Sequence, residues 1–247
     1  MNTSALMTAV CVTAVLISGC TSTGSSLKKN PKKAAGYQAQ LGAGYLQRNR
    51  LGLAKQYLEK ALKSDSNSPE AQHYYALLQE RLGDNAKAGT YFRKAMAQDG
   101  KNPELLNNYG SFLCKSGDTQ QAVAAFMSAA SDPLYTTPAF AYSNAGICLK
   151  NKGNHAHSEE YLRKALTLQP YSPSALFHMA EISYNRGENA KAQAFLYRYT
   201  ERHPDTPETL LLCYKTNRAL HDGKQTEECA NRLLSKFPQS KEAAELN

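Results

Sequence analysis

The chain of 247 residues has no tryptophan and only one long run of apolar residues, at positions 5–19. A membrane-spanning helix needs roughly twenty apolar residues, and this run has about fifteen. The sequence therefore excludes a polytopic membrane protein. Hydrophobic residues still make up 42% of the chain, which excludes a disordered polar chain and is typical of a globular protein.

Acidic residues are absent from the first 34 positions, which contain Lys28, Lys29, Lys32 and Lys33. These four lysines supply half of the formal net charge of +8. With the remaining excess spread over the rest of the chain, we expect no strongly basic face of the kind that nucleic-acid-binding proteins present. We therefore predict no nucleic-acid partner.

The sequence patterns of common catalytic sites are also absent. The chain contains no G-x-S-x-G motif, no H-E-x-x-H motif and no phosphate-binding loop. Its six histidines are scattered, and the spacing of His155 and His157 points them to different faces of a helix. We expect a non-enzyme with no catalytic residue, no metal site, no cofactor and no small-molecule substrate.

The N-terminal apolar run ends in Ile17-Ser18-Gly19-Cys20, which resembles the end of a bacterial lipoprotein signal. This resemblance implies that residues 1–19 are a signal peptide, cut between Gly19 and Cys20, and that a lipid is attached covalently to Cys20. Thr21 follows where an aspartate would indicate retention in the inner membrane. The resemblance therefore implies an anchor in the outer membrane, facing the periplasm. The alternative is an ordinary cleaved signal with a coincidental cysteine.

Residues 20–34 are rich in serine, threonine and lysine, and they contain nothing that could form a core. We expect a lipidated, flexible basic tether there. Its lysines could rest on anionic lipid headgroups, at roughly 1 kcal/mol per basic residue near the surface, or form a solvated linker. The sequence leaves both interpretations open.

From residue 35 the sequence repeats with a period of 34, interrupted at one joint. A column of small residues is followed by a second small column and then by a column of larger apolar residues. The first column is Gly42, Ala76, Gly110, Gly146, Ala180 and Tyr214. The later columns are Ala54, Ala88, Ala122, Ser158, Ala192 and Thr226, then Leu58, Phe92, Phe126, Leu162, Leu196 and Ala230. Turn residues separate the first two columns, at Asn49, Gly83, Gly117, Gly153, Gly187 and His221.

This is the pattern of the tetratricopeptide repeat (TPR), in which two antiparallel helices touch at small residues and larger side chains fill the gap beside them. A glycine between the helices can adopt positive φ, and a proline can begin the next helix. We predict an all-α fold, a right-handed superhelical solenoid of six TPR helix pairs over residues 35–247. The predicted repeats are 35–68, 69–102, 103–138, 139–172, 173–206 and 207–240.

Four cysteines lie in the repeats. In an exported protein, disulfides are expected. Cys114 and Cys148 fall on the first helices of adjacent repeats, so we predict a disulfide between them. Cys213 and Cys229 fall on the two helices of repeat six and are a second possible pair. The alternative is four buried free thiols.

The first helix of each TPR lines the concave face of the solenoid, where its polar side chains can bind a partner. Asparagine can pair with an extended peptide backbone through both its donor and its acceptor. We predict a partner-binding groove over repeats one to four. Its candidate residues are His73, Tyr74, Asn107, Asn108, Ser111, Phe140, Ser143 and Asn144. The alternative for Asn107 and Asn144 is that they cap or bridge neighbouring helices.

Three segments around the irregular joint point to one family. They are Asn107-Asn108-Tyr109-Gly110-Ser111-Phe112-Leu113-Cys114, then Asp132-Pro133-Leu134-Tyr135, then Asn144-Ala145-Gly146-Ile147-Cys148. With the cysteine motif at position 20 and the six repeats, they resemble the PilF/PilW lipoproteins of type IV pilus biogenesis, which are TPR-type pilotins. The resemblance covers nearly the whole chain.

The resemblance implies an outer-membrane scaffold that helps the pilus secretin, of the PilQ type, to reach that membrane and form its multimeric pore. It also implies a role either in secretin assembly or in fibre stability, and we expect a monomer. The alternative function is a lipid-anchored TPR adaptor for another envelope machine, such as outer-membrane protein assembly or peptidoglycan enzymes. A nucleic-acid-binding or cytoplasmic scaffold would require that the signal is not cleaved.

Overall fold

A computed structural model describes residues 30–246, and within this range the chain forms thirteen α-helices and no β-strand. The predicted signal peptide, its cleavage site after Gly19 and the lipidation site Cys20 lie outside the described residues. The helices are α1 (Pro31–Gln47), α2 (Leu51–Ser64), α3 (Pro69–Arg81), α4 (Asn85–Asp99), α5 (Pro103–Lys115), α6 (Thr119–Ala130), α7 (Pro138–Asn151), α8 (His155–Leu168), α9 (Pro173–Asn185), α10 (Asn189–Thr200), α11 (Pro207–Ala219), α12 (Gly223–Lys236) and α13 (Lys241–Ala244).

The first twelve helices pack as six consecutive pairs, and the short α13 packs against α11 and α12. This arrangement confirms the predicted all-α array of six TPR helix pairs. One boundary differs, because α1 begins at Pro31 and the last four residues of the predicted tether (20–34) are therefore helical. A proline is compatible with the first turn of a helix, since its missing N–H would have no intrahelical partner there.

A three-residue turn joins the two helices of every pair, and its middle residue has positive φ. Glycine occupies this position in repeats two to five, whereas Asn49 and His221 occupy it in the first and last repeats at φ 56° and 57°. The predicted turn column is thus confirmed. The residue after this position caps the second helix through its side chain in four repeats, at Asp84, Asp118, Asn154 and Asp222.

The small columns lie where the two helices of a pair cross. A Cβ atom on Gly110 would come within 2.9 Å of the Phe126 ring and 3.1 Å of the Ala122 carbonyl oxygen. A Cβ atom on Gly146 would lie 2.7 Å from Leu162. Phe126 and Leu162 are both fully buried. The alternation of glycine and a large apolar residue is therefore a packing requirement of the helix pair.

The first helices of neighbouring repeats contact each other along the whole array, from α1 and α3 to α9 and α11. Over the described residues, no second helix contacts the second helix of the next repeat. The first helices therefore lie on the inner side of the array and the second helices on the outer side, as in other stacked repeats. None of the described helices is long and apolar enough to span a bilayer.

Candidate functional site: a groove on the first helices

Polar side chains bridge the inner side of repeats two and three. Asn108 Nδ2 on α5 lies 3.0 Å from His73 Nε2 on α3, and the Tyr74 hydroxyl donates to Glu104 at 3.3 Å. Burial lowers the pKa of the His73 imidazole to about 4, so that this ring is neutral at pH 7. The bridge between α3 and α5 is therefore a hydrogen-bonded contact without a charged histidine.

The next bridge joins repeats three and four through two predicted groove residues. Asn144 on α7 donates from Nδ2 to Asn107 Oδ1 on α5 at 3.0 Å. Ser111 Oγ donates to the backbone carbonyl of Asn107 at 3.1 Å. The structure thus gives Asn107 and Asn144 the bridging position that the sequence left open for them. All three side chains are half-buried and border the inner side.

Two predicted groove residues do not reach the groove surface. His73 is 4% exposed and Ser143 is 1% exposed. The His73 ring is enclosed between Phe92 of its own helix pair, at a centroid distance of 6.2 Å, and Asn108 of the next repeat. The Ser143 hydroxyl is buried without a hydrogen-bond partner among the described residues. Neither side chain is accessible to a partner, which corrects the prediction for these two positions.

The accessible part of the predicted groove contains a polar cleft and an exposed aromatic ring. Asn108 and Ser111 line a cleft of about 360 Å³ together with Leu77 and Lys115. Phe140, at the start of α7, is 48% exposed. An exposed ring can anchor an apolar side chain of a partner, while amide and hydroxyl groups can pair with its backbone.

A second cleft lies in repeats five and six, beyond the predicted groove. It has a volume of about 310 Å³, and its walls include Phe177, Tyr184 and Leu211. Phe177 occupies the same position in its repeat as His73 and Asn107 do in theirs. Continuing the first-helix columns past repeat four would have identified this residue.

A compact charged cluster joins α7 and α9. Lys150 Nζ lies 2.5 Å from the Glu181 carboxylate and 3.1 Å from His178 Nδ1. Burial alone would raise the pKa of Glu181, but hydrogen bonds from His178 and Lys150 outweigh it and lower the pKa below its usual value. Glu181 also lines the second cleft. The carboxylate in that wall is therefore ionised and already paired.

The structure pairs the four repeat cysteines as two disulfides. The Cα atoms are 5.8 Å apart for Cys114 and Cys148, and 6.0 Å apart for Cys213 and Cys229. Both separations lie in the ordinary range for a disulfide, about 4.4–6.8 Å. The first bridge links α5 to α7, the same two helices that the asparagine pair joins. The inner side at the irregular joint is therefore fixed both covalently and by hydrogen bonds.

Comparison with known proteins identifies the family. TPR family profiles match residues 40–103, 91–124, 141–172 and 174–206. The type IV pilus assembly protein PilF of Pseudomonas aeruginosa is 30% identical to this chain over 236 residues, which cover 94% of each protein. The chain belongs to the PilF/PilW family of TPR proteins. The family resemblance inferred from the sequence is thereby confirmed.

Solved structures of PilF and PilW share the fold of this family member. The structure of P. aeruginosa PilF has a TM-score of 0.77 and 29% identity, covering 88% of this chain and 98% of that chain. The crystal structure of PilW, described as a widely conserved type IV pilus biogenesis factor, has a TM-score of 0.79 and 31% identity, covering 86% of this chain and 97% of its own. Over residues 30–246, no group of three side chains is arranged to hold a metal ion.

Proposed function

We propose that this PilF/PilW-family chain is a lipid-anchored outer-membrane scaffold of type IV pilus biogenesis. In this proposal it binds the pilus secretin in the groove of its first helices and promotes secretin localisation and multimerisation. The observation that carries the proposal is the match to the P. aeruginosa type IV pilus assembly protein PilF over 94% of both chains. A match of this extent is not limited to a few generic repeats.

The groove supports binding of an extended segment of a partner. Asn108 and Ser111 offer donors and acceptors to a peptide backbone, and Phe140 on the neighbouring first helix offers an apolar anchor. The bridges between first helices hold these groups on a preformed surface, which lowers the conformational cost of binding. The function in this proposal is therefore recognition of a protein segment rather than catalysis.

The membrane position in the proposal comes from the motif that ends in Cys20. A lipid on this cysteine would hold the array at the periplasmic side of the outer membrane, where the secretin forms its pore. Cleavage and lipidation can be measured separately from pilus assembly, by the mass of the mature chain and by its partition between membrane and soluble fractions. A Cys20→Ala substitution is expected to remove the lipid from the mass of the chain and to lower its membrane fraction in buffers of high salt.

The test of the proposed function is an assay of heat-resistant secretin multimers in outer membranes from strains with and without this gene. We expect the multimers to be lost on deletion, with secretin monomer retained in the inner membrane, and to return when the gene is restored. Total secretin monomer, measured by immunoblot in the same samples, is the control for expression.

Normal multimers in the outer membrane of the deletion strain would overturn the pilotin role. Loss of surface fibres in that strain would then indicate a role in fibre stability. Normal fibres as well as normal multimers would favour the alternative, an adaptor for another envelope machine.

A further inference from the structure

The net charge of the array is concentrated in its first two repeats. Residues 31–102 contain twelve basic and six acidic residues, whereas residues 103–247 contain fifteen of each. The expectation that the charge beyond position 34 is spread over the chain is therefore wrong, because all of it lies before residue 103. The total charge of the chain does not reveal that the first two repeats are basic and the later repeats are neutral overall.

Most of the excess lies on α2 and α4, the second helices of repeats one and two. These helices have two acidic residues, Glu59 and Asp99, and six exposed basic residues. The basic residues are Lys55, Lys60, Lys63, Lys87, Arg93 and Lys94. By contrast, α6 has no charged residue, and α8 has two of each sign. Since second helices lie on the outer side, the excess forms an outward basic face.

Lysine and tyrosine are paired on this face. Lys60 Nζ lies 5.3 Å from the centroid of the Tyr57 ring, and Lys94 Nζ lies 4.8 Å from that of Tyr91. The two lysines are one repeat apart and occupy equivalent positions. The Tyr91 ring is itself held by an edge contact with Tyr75, at a centroid separation of 4.6 Å. Each pair combines a positive charge with an amphipathic ring at the surface.

The equivalent position is neutralised in two later repeats. Lys164 in repeat four lies 2.7 Å from Glu160, and Arg232 in repeat six pairs with Asp205. In the described part of the chain, neither Lys60 nor Lys94 has a carboxylate within the 4 Å of an ion pair. The positive charge of Lys60 and Lys94 is therefore available to an external anion, whereas Lys55 on the same face lies 3.8 Å from Glu59.

We propose that the outer face of α2 and α4 docks on an anionic phospholipid surface. The uncompensated lysines provide charge complementarity to phosphate headgroups, and each is expected to strengthen binding roughly fivefold. Tyrosine is a residue that favours the headgroup region of a bilayer, because its ring is apolar and its hydroxyl is polar. The half-buried rings of Tyr57 and Tyr91 beside Lys60 and Lys94 suit a headgroup region better than a purely acidic protein surface.

This docking is separate from the lipid proposed at Cys20, and it would act as a second, electrostatic attachment. The chain contains two further basic residues before the array, Lys28 and Lys29, and Lys32 and Lys33 lie in the first turn of α1, so the basic character is continuous along the sequence. A lipid chain and a basic patch together hold a protein on a membrane more firmly than either does alone. The groove of the first helices would remain open, because it lies on the other side of the array.

The test uses the chain from residue 21 onward, which retains the complete compact unit Pro31–Asn247 and has no lipidation site. Binding is measured by co-sedimentation with vesicles of phosphatidylcholine alone or with 30% phosphatidylglycerol, a composition of roughly the anionic content that attracts basic segments. We compare the wild type with the triple variant Lys60→Gln, Lys63→Gln, Lys94→Gln. The matched control is Lys152→Gln, Lys191→Gln, Lys224→Gln, which removes the same charge from exposed positions in repeats four to six.

We expect binding to the anionic vesicles only, weakened by added salt. The α2/α4 variant should bind ten- to a hundredfold more weakly, and the control variant within about twofold of the wild type. An equal loss in both variants would overturn the proposal, because it would show that only net charge matters. No binding to anionic vesicles would also overturn it and would favour an acidic protein as the counterpart of this face. Neither result depends on the secretin assay.

Discussion

Repeats one and two differ from repeats three to six in what holds them together, although both parts use the same columns of small and large residues. The first part relies on aromatic packing, in which Tyr45 lies 5.4 Å from Tyr57 and Tyr75 lies 4.6 Å from Tyr91 between ring centroids. The second part contains both disulfides and most of the ion pairs of the described residues. One fold therefore tolerates two sets of supporting contacts.

The two parts also differ in whether their basic residues are paired within the chain. In the later repeats, several basic residues form intramolecular ion pairs, such as Arg186 with Glu159 and Lys215 with Glu245. In the first two repeats, Lys60 and Lys94 are exposed, and neither has a carboxylate partner among the described residues. Because each repeat of a solenoid contacts only its neighbours, the two parts can be altered one at a time.

The largest expected effect comes from removing the disulfide between Cys114 and Cys148. This bond closes a segment with a sequence separation of 34, so replacing both cysteines by alanine should lower the free energy of unfolding by about 3–4 kcal/mol. Chemical denaturation followed by circular dichroism measures the change. Dithiothreitol reduces both disulfides, so the wild type with reductant should be less stable than the variant, which keeps the bond between Cys213 and Cys229.

The matched comparison is the Cys213→Ala, Cys229→Ala variant. These two cysteines are separated by 16 positions in the sequence, which predicts a smaller loss in the free energy of unfolding, about 2–3 kcal/mol. Because repeat six lies at the end of the array, this loss should appear as early unfolding of the C-terminal repeats in hydrogen exchange. No reductant-dependent change in either variant or wild type would contradict the assigned pairing.

The next effect is the loss of stability in acid that the buried His73 in repeat two should cause. Its folded-state pKa is about 4, against 6.5 for the unperturbed group, so the unfolded chain binds the extra proton between these values. Stability is therefore lost as the pH falls from about 6.5 to 4, by about 2–3 kcal/mol. A His73→Gln variant should show a flatter pH dependence over this window in thermal unfolding. An unchanged slope would contradict the assignment of a neutral, buried imidazole.

The smallest effect on stability is expected at Asp205, between repeats five and six. Its side chain is 4% exposed. Burial raises its pKa, but hydrogen bonds from Arg232 and Lys236 outweigh this and lower the pKa below the ordinary value of 3.8. The ionised Asp205 carboxylate thus stabilises the folded chain at neutral pH, and this stabilisation is lost as the pH falls below about 4. Asp205→Asn should cost about 1–2 kcal/mol at pH 7, and the difference from the wild type should shrink at pH 3. Denaturation at both pH values measures it.

The sequence predicted the fold well because the TPR pattern is set by local packing. Gly110 is required by Phe126, and the turn position of each pair requires positive φ. Groove exposure was harder to predict, since it depends on how neighbouring repeats approach each other. His73 and Asn108 both carry polar side chains on first helices, yet one is enclosed in the core and the other borders the cleft.

The second cleft and the basic face were missed for a related reason. Phe177 lines that cleft at a position whose counterparts in repeats two to four are polar, and the first-helix columns were not followed past repeat four. The basic face became visible only once α2 and α4 could be placed on the outer side and each lysine could be checked for a partner.

We propose that the inner side of the array binds the pilus secretin, and site-specific photo-crosslinking in living cells can identify the side that is in contact. A photoreactive residue at position 140 replaces Phe140 on a first helix, and one at position 197 replaces Tyr197 on a second helix. These two side chains have similar exposure, 48% and 51%. We expect a secretin adduct from position 140 and none from position 197. An adduct from position 197 alone, in cells that assemble normal secretin multimers, would contradict it.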